Sequence, residues 1–102
     1  MQRFWLHEKV IESIVAILKK YEQVEQAIIY GSRARGDYRN NSDIDIALFG
    51  DELTFSINTK IFYEIDELYW VYKIDLVNMN SLKEDNKFKQ NIIREGVEIY
   101  AK

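Results

Sequence analysis

The most restrictive feature of this sequence is the stretch 43–49, DIDIALF, in which two aspartates alternate with two isoleucines before the run becomes wholly apolar. Alternation with a period of two predicts a β-strand, because successive side chains of a strand point to opposite faces of a sheet. Asp43 and Asp45 would then share one face, and Ile44 and Ile46 would share the other. The chain must therefore fold so that the isoleucines enter a core while both carboxylates meet at the start of a strand.

The surrounding sequence predicts a small α/β or α+β fold. Apolar residues at helical spacing indicate helices, and short apolar runs that end at glycine or turn residues indicate strands. The predicted order is helix 5–21, strand 26–30, a short helix at SRARG, strand 43–49, helix 54–70, strand 73–79, a last helix from a Ser81–Glu84 capping box to about residue 94, and a short extended tail. We expect a small mixed β-sheet with helices packed on one face.

Length and composition limit the classes of protein that fit. A chain of 102 residues with 47% hydrophobic and 30% charged residues is typical of one soluble globular domain, here spanning 1–102. The net charge of −3 argues against a general DNA- or RNA-binding surface. Cysteine is absent, which excludes thiolate chemistry, and no apolar run approaches the roughly 20 residues of a membrane span. We expect a cytoplasmic protein that does not contact membranes or nucleic acid.

The paired aspartates predict a cation site. Asp43 and Asp45 repel each other on one face, so ionising both requires a nearby positive charge, and a divalent cation is the simplest source. Oxygen ligands without cysteine or a nearby histidine favour Mg²⁺ or Mn²⁺ over zinc. Asp75 lies in the otherwise apolar strand YKIDLVNM and supplies a third carboxylate if the two strands pair. Three carboxylates can hold two cations around a transferring phosphoryl or nucleotidyl group.

The segment before the aspartates is suited to phosphate. Gly31 at a strand-to-helix turn lets an anion approach the backbone, and the Ser32 hydroxyl can donate to a phosphate oxygen. Arg33, Arg35 and Arg39 add positive charge, and arginine makes bidentate phosphate contacts. A Gly-Ser pair is usually a plain turn and such arginines usually belong to a solvated loop. The combination with Asp-x-Asp ten residues later is what favours a site.

This combination, YGSRARGDYRNNSDIDI at 30–46 together with YKIDLV at 72–77, resembles the DNA polymerase β-like nucleotidyltransferase superfamily. More narrowly, the chain is similar to the minimal nucleotidyltransferases, or MNT proteins, which are often paired with a HEPN-domain partner. The resemblance spans nearly the whole chain and implies the polymerase β-like nucleotidyltransferase fold.

The resemblance also implies roles for individual residues. Asp43 and Asp45 would ligate two Mg²⁺ ions, with Mn²⁺ as the alternative metal, and Asp75 would complete the catalytic metal site. Gly31 and Ser32 would hold the triphosphate of ATP or another NTP. Two arginines would support the loop or the phosphates, namely Arg33 and Arg35.

The function implied is transfer of a nucleoside monophosphate, AMP from ATP, to a hydroxyl acceptor such as a tyrosine of a HEPN-type toxin, so that the protein acts as an antitoxin. Because 102 residues leave no room for an acceptor-binding domain, we expect a hetero-oligomer with a helical partner, with a homodimer as the alternative. Tyr63, Trp70 or Tyr72 could form the interface, since interface cores favour Tyr and Trp. The competing hypothesis is a non-catalytic module that neutralises or completes its partner by contact.

Two other classes of Asp-x-Asp enzyme fit less well. Phosphatases of the haloacid dehalogenase type place the motif directly after an apolar strand, whereas RNNS precedes it here. Sugar-nucleotide transferases with Asp-x-Asp need a much larger domain than this chain provides.

Overall fold

The computed structural model describes residues 2–3, 6–36, 43–68 and 73–102. The elements in these ranges are β1 (Gln2–Arg3), β2 (Leu6–His7), α1 (Glu8–Lys19), β3 (Gln26–Tyr30), α2 (Ser32–Arg35), β4 (Ile44–Phe49), α3 (Phe55–Leu68), β5 (Ile74–Asn78), a 3₁₀ turn (Met79–Ser81), α4 (Lys87–Glu95) and β6 (Val97–Ala101). Within the described ranges, every helix is too short or too polar to cross a bilayer.

The larger sheet has four strands in the order β5-β4-β3-β6, and β1 and β2 form a separate antiparallel pair. β3 runs antiparallel to both β4 and β6, whereas β4 and β5 are parallel. The sheet is therefore mixed, which confirms the predicted fold class. The segment expected to be an extended tail is β6, which forms an edge strand beside β3.

Helices α1 and α3 cover one face of this sheet, whereas α4 lies on the other, so the expectation of helices on a single face holds for α1 and α3 only. The fully buried residues of that core include Ile14, Leu18, Ile29, Ile44, Ile46, Ile61 and Ile65. Burying each such side chain contributes about 1.5–3 kcal/mol relative to leaving it in water. The core therefore lies between these two helices and the isoleucines predicted to face it.

The short helix α4 packs on the opposite face, through Ile92 against Ile28, Ala47 and Met79. This second contact arises because β3 and β4 carry apolar residues on both faces in their central part. Asp45 of β4 points to this same face, since it alternates with the buried Ile44 and Ile46. The covering helix α4 therefore lies beside the carboxylates.

Two predicted helix starts differ from the structure. α1 begins at Glu8 because Leu6 and His7 form β2 instead. α4 begins at Lys87, where the Asn86 side chain accepts a hydrogen bond of 3.1 Å from the Lys89 amide. The Ser81 hydroxyl donates to the Asn78 carbonyl oxygen at 2.7 Å, so the predicted capping box at Ser81 is wrong. Residues 69–72, which include the predicted end of α3, lie outside the described residues.

Candidate active site

Asp45 lies between Tyr30 and Asp75 across three neighbouring strands. The strand register pairs Asp45 with Asp75 of the parallel strand β5, and with Tyr30 of the antiparallel strand β3. Because paired residues of adjacent strands point to the same face, about 5 Å apart, the three side chains form one row across the sheet. Asp43 directly precedes β4 and is half-buried. The structure therefore brings the three predicted carboxylates to one face of the sheet, at the end where β4 and β5 begin.

The electrostatics of Asp45 show that the carboxylates influence one another. The pKa of Asp45 is raised from 3.8 to about 6, mainly by burial and then by the negative charges of Asp75 and Asp43, while Arg33 and Arg35 lower it. A raised pKa means that ionising Asp45 costs free energy in the folded protein. Burial and the two neighbouring carboxylates thus disfavour the ionised form of Asp45, and the two arginines offset only part of this effect.

Carboxylate oxygens are the ligands that Mg²⁺ prefers, so this end of the sheet offers the right type of ligand for a divalent cation. Among the described residues, however, no three His, Cys, Asp or Glu side chains are already gathered around one point as metal ligands. Asp75 is exposed, and Asp43 and Asp45 are half-buried. The three carboxylates share a face of the sheet but do not surround a common point. A bound cation would remove the repulsion between them.

Gly31 makes room for Asp45. Its backbone has a φ of 76°, and a β-carbon at this position would come within 2.5 Å of Asp45 Oδ2. The positive φ favours glycine, because other residues rarely adopt it, and a β-carbon at position 31 would fit only if the Asp45 carboxylate moved away. The sequence suggested Gly31 for the approach of a phosphate, whereas in the structure its first effect is to let the Asp45 carboxylate lie against the turn.

Charged and polar residues of α2 flank the carboxylates. Ser32 begins α2 and is half-buried. Arg33 is only 2% exposed, and its charge lowers the pKa of Asp45. Arg35 is more exposed, and its Nη1 lies 3.4 Å from Oε2 of Glu95 in α4. One arginine is thus inside the fold and the other at its surface, while residue 39, the third predicted arginine, lies outside the described residues.

Tyr30 lies in the candidate site, beside Asp45, and the sequence reasoning did not include it. Its hydroxyl is buried and finds no partner in regular hydrogen-bond geometry among the described residues. Burial, followed by the negative charges of Asp75 and Asp45, raises the pKa of the Tyr30 hydroxyl above its usual value. The position of Tyr30 directly before Gly31, at the end of a strand, could have indicated that it lies near the site. Which face its side chain shares with Asp45 depends on the pairing of β3 with β4.

A groove with a volume of about 300 Å³ opens beside the row of carboxylates. One wall of the groove is formed by the Tyr30–Gly31 turn and α2, and the other wall is formed by α4. Its lining residues are Tyr30, Gly31, Arg35, Phe88, Asn91, Ile92 and Glu95. The sequence reasoning missed the α4 contribution, because nothing local indicates that α4 packs on the face of the sheet that carries the aspartates.

The predicted interface aromatics are described in part. Tyr63 is 60% exposed on α3, and Phe55 at the start of the same helix is 84% exposed. Trp70 and Tyr72 lie outside the described residues. The exposed aromatic surface of α3 therefore faces away from the sheet and from the groove.

Known proteins resemble this chain over most of its length. The family model described as "Polymerase beta, Nucleotidyltransferase" matches residues 12–102. The chain is 35% identical, over 101 aligned residues, to the "putative protein adenylyltransferase MJ0604" of Methanocaldococcus jannaschii. That alignment covers 91% of this chain and 97% of the relative.

Solved structures share the fold at lower sequence identity. A crystal structure of a toxin–antitoxin with AMP-PNP matches with a TM-score of 0.73 and 20% identity, over 95% of this chain and 75% of that chain. A tri-AMPylated Shewanella oneidensis HEPN toxin in complex with MNT antitoxin matches with a TM-score of 0.71 and 16% identity, over 93% of this chain and 72% of that chain. From the family match and the shared fold, we conclude that this chain is a nucleotidyltransferase and belongs to the polymerase β nucleotidyltransferase family.

Proposed function

We propose that this protein transfers AMP from ATP to a tyrosine hydroxyl of a HEPN-type helical partner and thereby acts as its antitoxin. The observation that carries the proposal is the register of Asp45 with Asp75, in which carboxylates of two neighbouring parallel strands lie side by side near the start of both strands. The adenylyltransferase name of the relative and the AMPylated toxin among the structural matches support the choice of nucleotide and acceptor.

We further propose that Asp43, Asp45 and Asp75 hold divalent cations, with two Mg²⁺ ions as the expected metal. The raised pKa of Asp45 supports this, because a cation at this end of the sheet would favour the ionised carboxylate. Cations held by these residues would neutralise charge on the phosphates and lower the pKa of an attacking hydroxyl. The chain's own contribution is to keep three oxygen donors on one face, next to the place where the acceptor oxygen must approach.

Gly31, Ser32, Arg33 and Arg35 are proposed to hold the triphosphate. The Ser32 hydroxyl would donate to a phosphate oxygen, and the two guanidinium groups would supply positive charge on the side of the site opposite β5. Arg35 is within ion-pair distance of Glu95, and this exposed pair is weak enough to be exchanged for a phosphate oxygen. Arg33 is buried, and its positive charge lowers the pKa of Asp45. The same charge would attract the phosphates from within the fold.

The partner is proposed to dock on the exposed aromatic residues of α3. Phe55 and Tyr63 expose most of their side chains, and aromatic residues are enriched in interface cores. Because α3 covers the face of the sheet opposite the carboxylates, such a partner would have to reach around an edge of the domain to present its tyrosine. The assembly is therefore proposed to be a hetero-oligomer with the acceptor on a mobile or extended segment of the partner.

The deciding experiment incubates the protein, Mg²⁺ and α-labelled ATP with a HEPN-type helical protein as the candidate partner. We expect label to appear on a tyrosine of the partner with the wild-type protein and to be lost with Asp45→Asn. Asp66→Asn is the matched control, since Asp66 is an exposed aspartate of α3. Label transfer by Asp45→Asn at the wild-type rate would show that the carboxylates do not perform the reaction.

A further inference from the structure

The groove between the Tyr30–Gly31 turn and α4 has a composition that phosphate binding does not explain. Phe88, Asn91 and Glu95 lie at positions i, i+3 and i+7 of α4, so they share one side of the helix. Ile92 is 1% exposed and packs against Tyr30 and Ala47. One wall is therefore partly aromatic and partly polar over an apolar base, whereas phosphate sites are usually polar and positively charged throughout.

Phe88 is held in place and still accessible. Its ring lies edge-to-face with that of Tyr30, with centroids 5.7 Å apart and an interplanar angle of 78°. Nevertheless 45% of the residue is exposed. An aromatic ring that is oriented by a neighbour and partly open to solvent is a suitable stacking surface for a flat ligand, since offset and edge contacts leave part of the ring available.

Asn91 and Glu95 provide the polar groups of the groove. Asn91 Oδ1 accepts a hydrogen bond of 2.7 Å from Arg94 Nη2, which orients the carboxamide. Glu95 is near both Arg35 and Arg94, at 3.4 Å and 3.8 Å, so its charge is partly balanced. A carboxamide combines donor and acceptor atoms, and this combination matches the amino group and ring nitrogen on one edge of adenine.

The position of the groove relates it to the row of carboxylates. Gly31 lines the groove and also contacts Asp45, so the groove begins where the proposed phosphate site ends. Its volume of about 300 Å³ is at the lower end of the range for small-molecule pockets. A nucleotide whose phosphates lie at Gly31 and Arg35 would be able to place its remaining part here.

We propose that this groove binds the nucleoside of the incoming nucleotide, with Phe88 stacking on the base and Asn91 selecting adenine over guanine. The inference rests on the proposed nucleotidyl transfer. Guanine presents two acceptors, O6 and N7, on the edge where adenine presents a donor and an acceptor. Asn91 satisfies both groups of adenine, but its oxygen would face an acceptor of guanine. Selectivity therefore comes from α4, and the phosphates are held elsewhere.

Another depression suits an anionic ligand poorly. It lies at the other end of the sheet, and its lining residues are Glu22, Gln23, Glu25, Asp51, Glu52 and Lys102. Four carboxylates and one ammonium group would repel a triphosphate. The groove beside α4 combines an aromatic ring, an amide and access to Gly31.

The test measures the binding of ATP and of inorganic tripolyphosphate to the full chain by calorimetry in the presence of Mg²⁺. Phe88→Ala is expected to weaken ATP binding about tenfold, in line with the loss of one base-stacking contact. It should leave tripolyphosphate binding unchanged, which also shows that the variant is folded. Ile93→Ala is the control, because Ile93 is 57% exposed on the same helix but lines a different depression.

Selectivity is measured with Asn91→Ala by comparing ATP with GTP. We expect the preference for ATP to fall about fivefold or more, within the range that one base-edge contact supplies. Wild-type affinity for ATP in both variants, or an ATP affinity of the wild type no higher than that for tripolyphosphate, would overturn the groove proposal. Failure of AMP transfer together with the expected binding changes would instead overturn the proposed reaction and leave the groove proposal standing.

Discussion

Gly31 packs directly against Asp45, since a β-carbon at position 31 would lie 2.5 Å from Oδ2 and 3.3 Å from Cγ of Asp45. The glycine of the turn and the second aspartate of the strand are fourteen positions apart in the sequence but are adjacent in space. The Gly-Ser turn and the Asp-x-Asp strand are therefore one structural unit, and a change in the first should displace the second.

Gly31→Ala is expected to abolish nucleotidyl transfer by pushing the Asp45 carboxylate out of position. Gly36→Ala is the matched control, because Gly36 also has a positive φ, 91°, but no described atom lies within 4 Å of its β-carbon. The backbone strain should cost about 1–3 kcal/mol of unfolding free energy in each variant. Urea unfolding and label transfer measure the two effects. Equal losses of activity in both variants would contradict the specific role of Gly31.

Asp45→Asn is expected to stabilise the protein at neutral pH in the absence of metal. The pKa of Asp45 rises from 3.8 to about 6 on folding, so the folded state holds this proton more tightly than the unfolded state. The wild type therefore loses stability as pH rises between about 4 and 6, and the loss persists above pH 6. Because Asp45 is partly exposed, solvent screening limits the effect to about 1–2 kcal/mol.

Urea unfolding at about pH 4 and about pH 7.5 measures this difference on either side of the titration. The Asp45→Asn variant should match the wild type at the lower pH and exceed it at the higher pH. A stability difference that is the same at both pH values would show that the carboxylate is not destabilised by its surroundings.

Mg²⁺ is expected to raise the stability of the wild type, because a cation relieves the repulsion among Asp43, Asp45 and Asp75. At a free concentration ten times the dissociation constant, the gain is about 1.4 kcal/mol. Thermal unfolding with Mg²⁺ and then with excess chelator measures it. Asp45→Asn and Asp75→Asn should respond much less, and an undiminished response in both variants would place the cation somewhere else.

A growth assay of antitoxin activity distinguishes neutralisation by AMP transfer from neutralisation by contact alone. If AMP transfer neutralises the partner, cells that express the partner should grow with the wild-type protein but not with Asp45→Asn. The complex should still form in the variant, since Asp45 is remote from the exposed surface of α3. Co-purification with the partner provides this control. Full protection by Asp45→Asn would instead favour the hypothesis of a module that neutralises by contact.

Tyr63→Ala is expected to weaken the complex with the partner about tenfold or more, as the loss of an exposed aromatic contact at an interface often does. Ile93→Ala is the control, because Ile93 is similarly exposed but lies on α4, on the opposite face of the sheet. Calorimetric titration of the partner measures both. Wild-type affinity in Tyr63→Ala would exclude this part of α3 from the interface.

Local patterns in the sequence were sufficient to predict the central strands and the face of the sheet on which the carboxylates lie. The prediction of strand 26–30 is confirmed by β3, and the alternation from Asp43 to Ile46 placed both isoleucines in the core, where they are fully buried. These features could be predicted because the period of two and the transfer of apolar side chains from water act within a few residues. The roles of the carboxylates in binding metal stay predictions.

The tertiary structure decided which distant segments meet. The parallel pairing of β4 with β5 placed Asp75 beside Asp45, and the packing of Ile92 placed Phe88 and Asn91 next to the Gly-Ser turn. No local pattern specifies such contacts, because they depend on how several apolar faces are buried together. The sequence by itself determined which residues could form the site, and long-range packing determined which of them became neighbours.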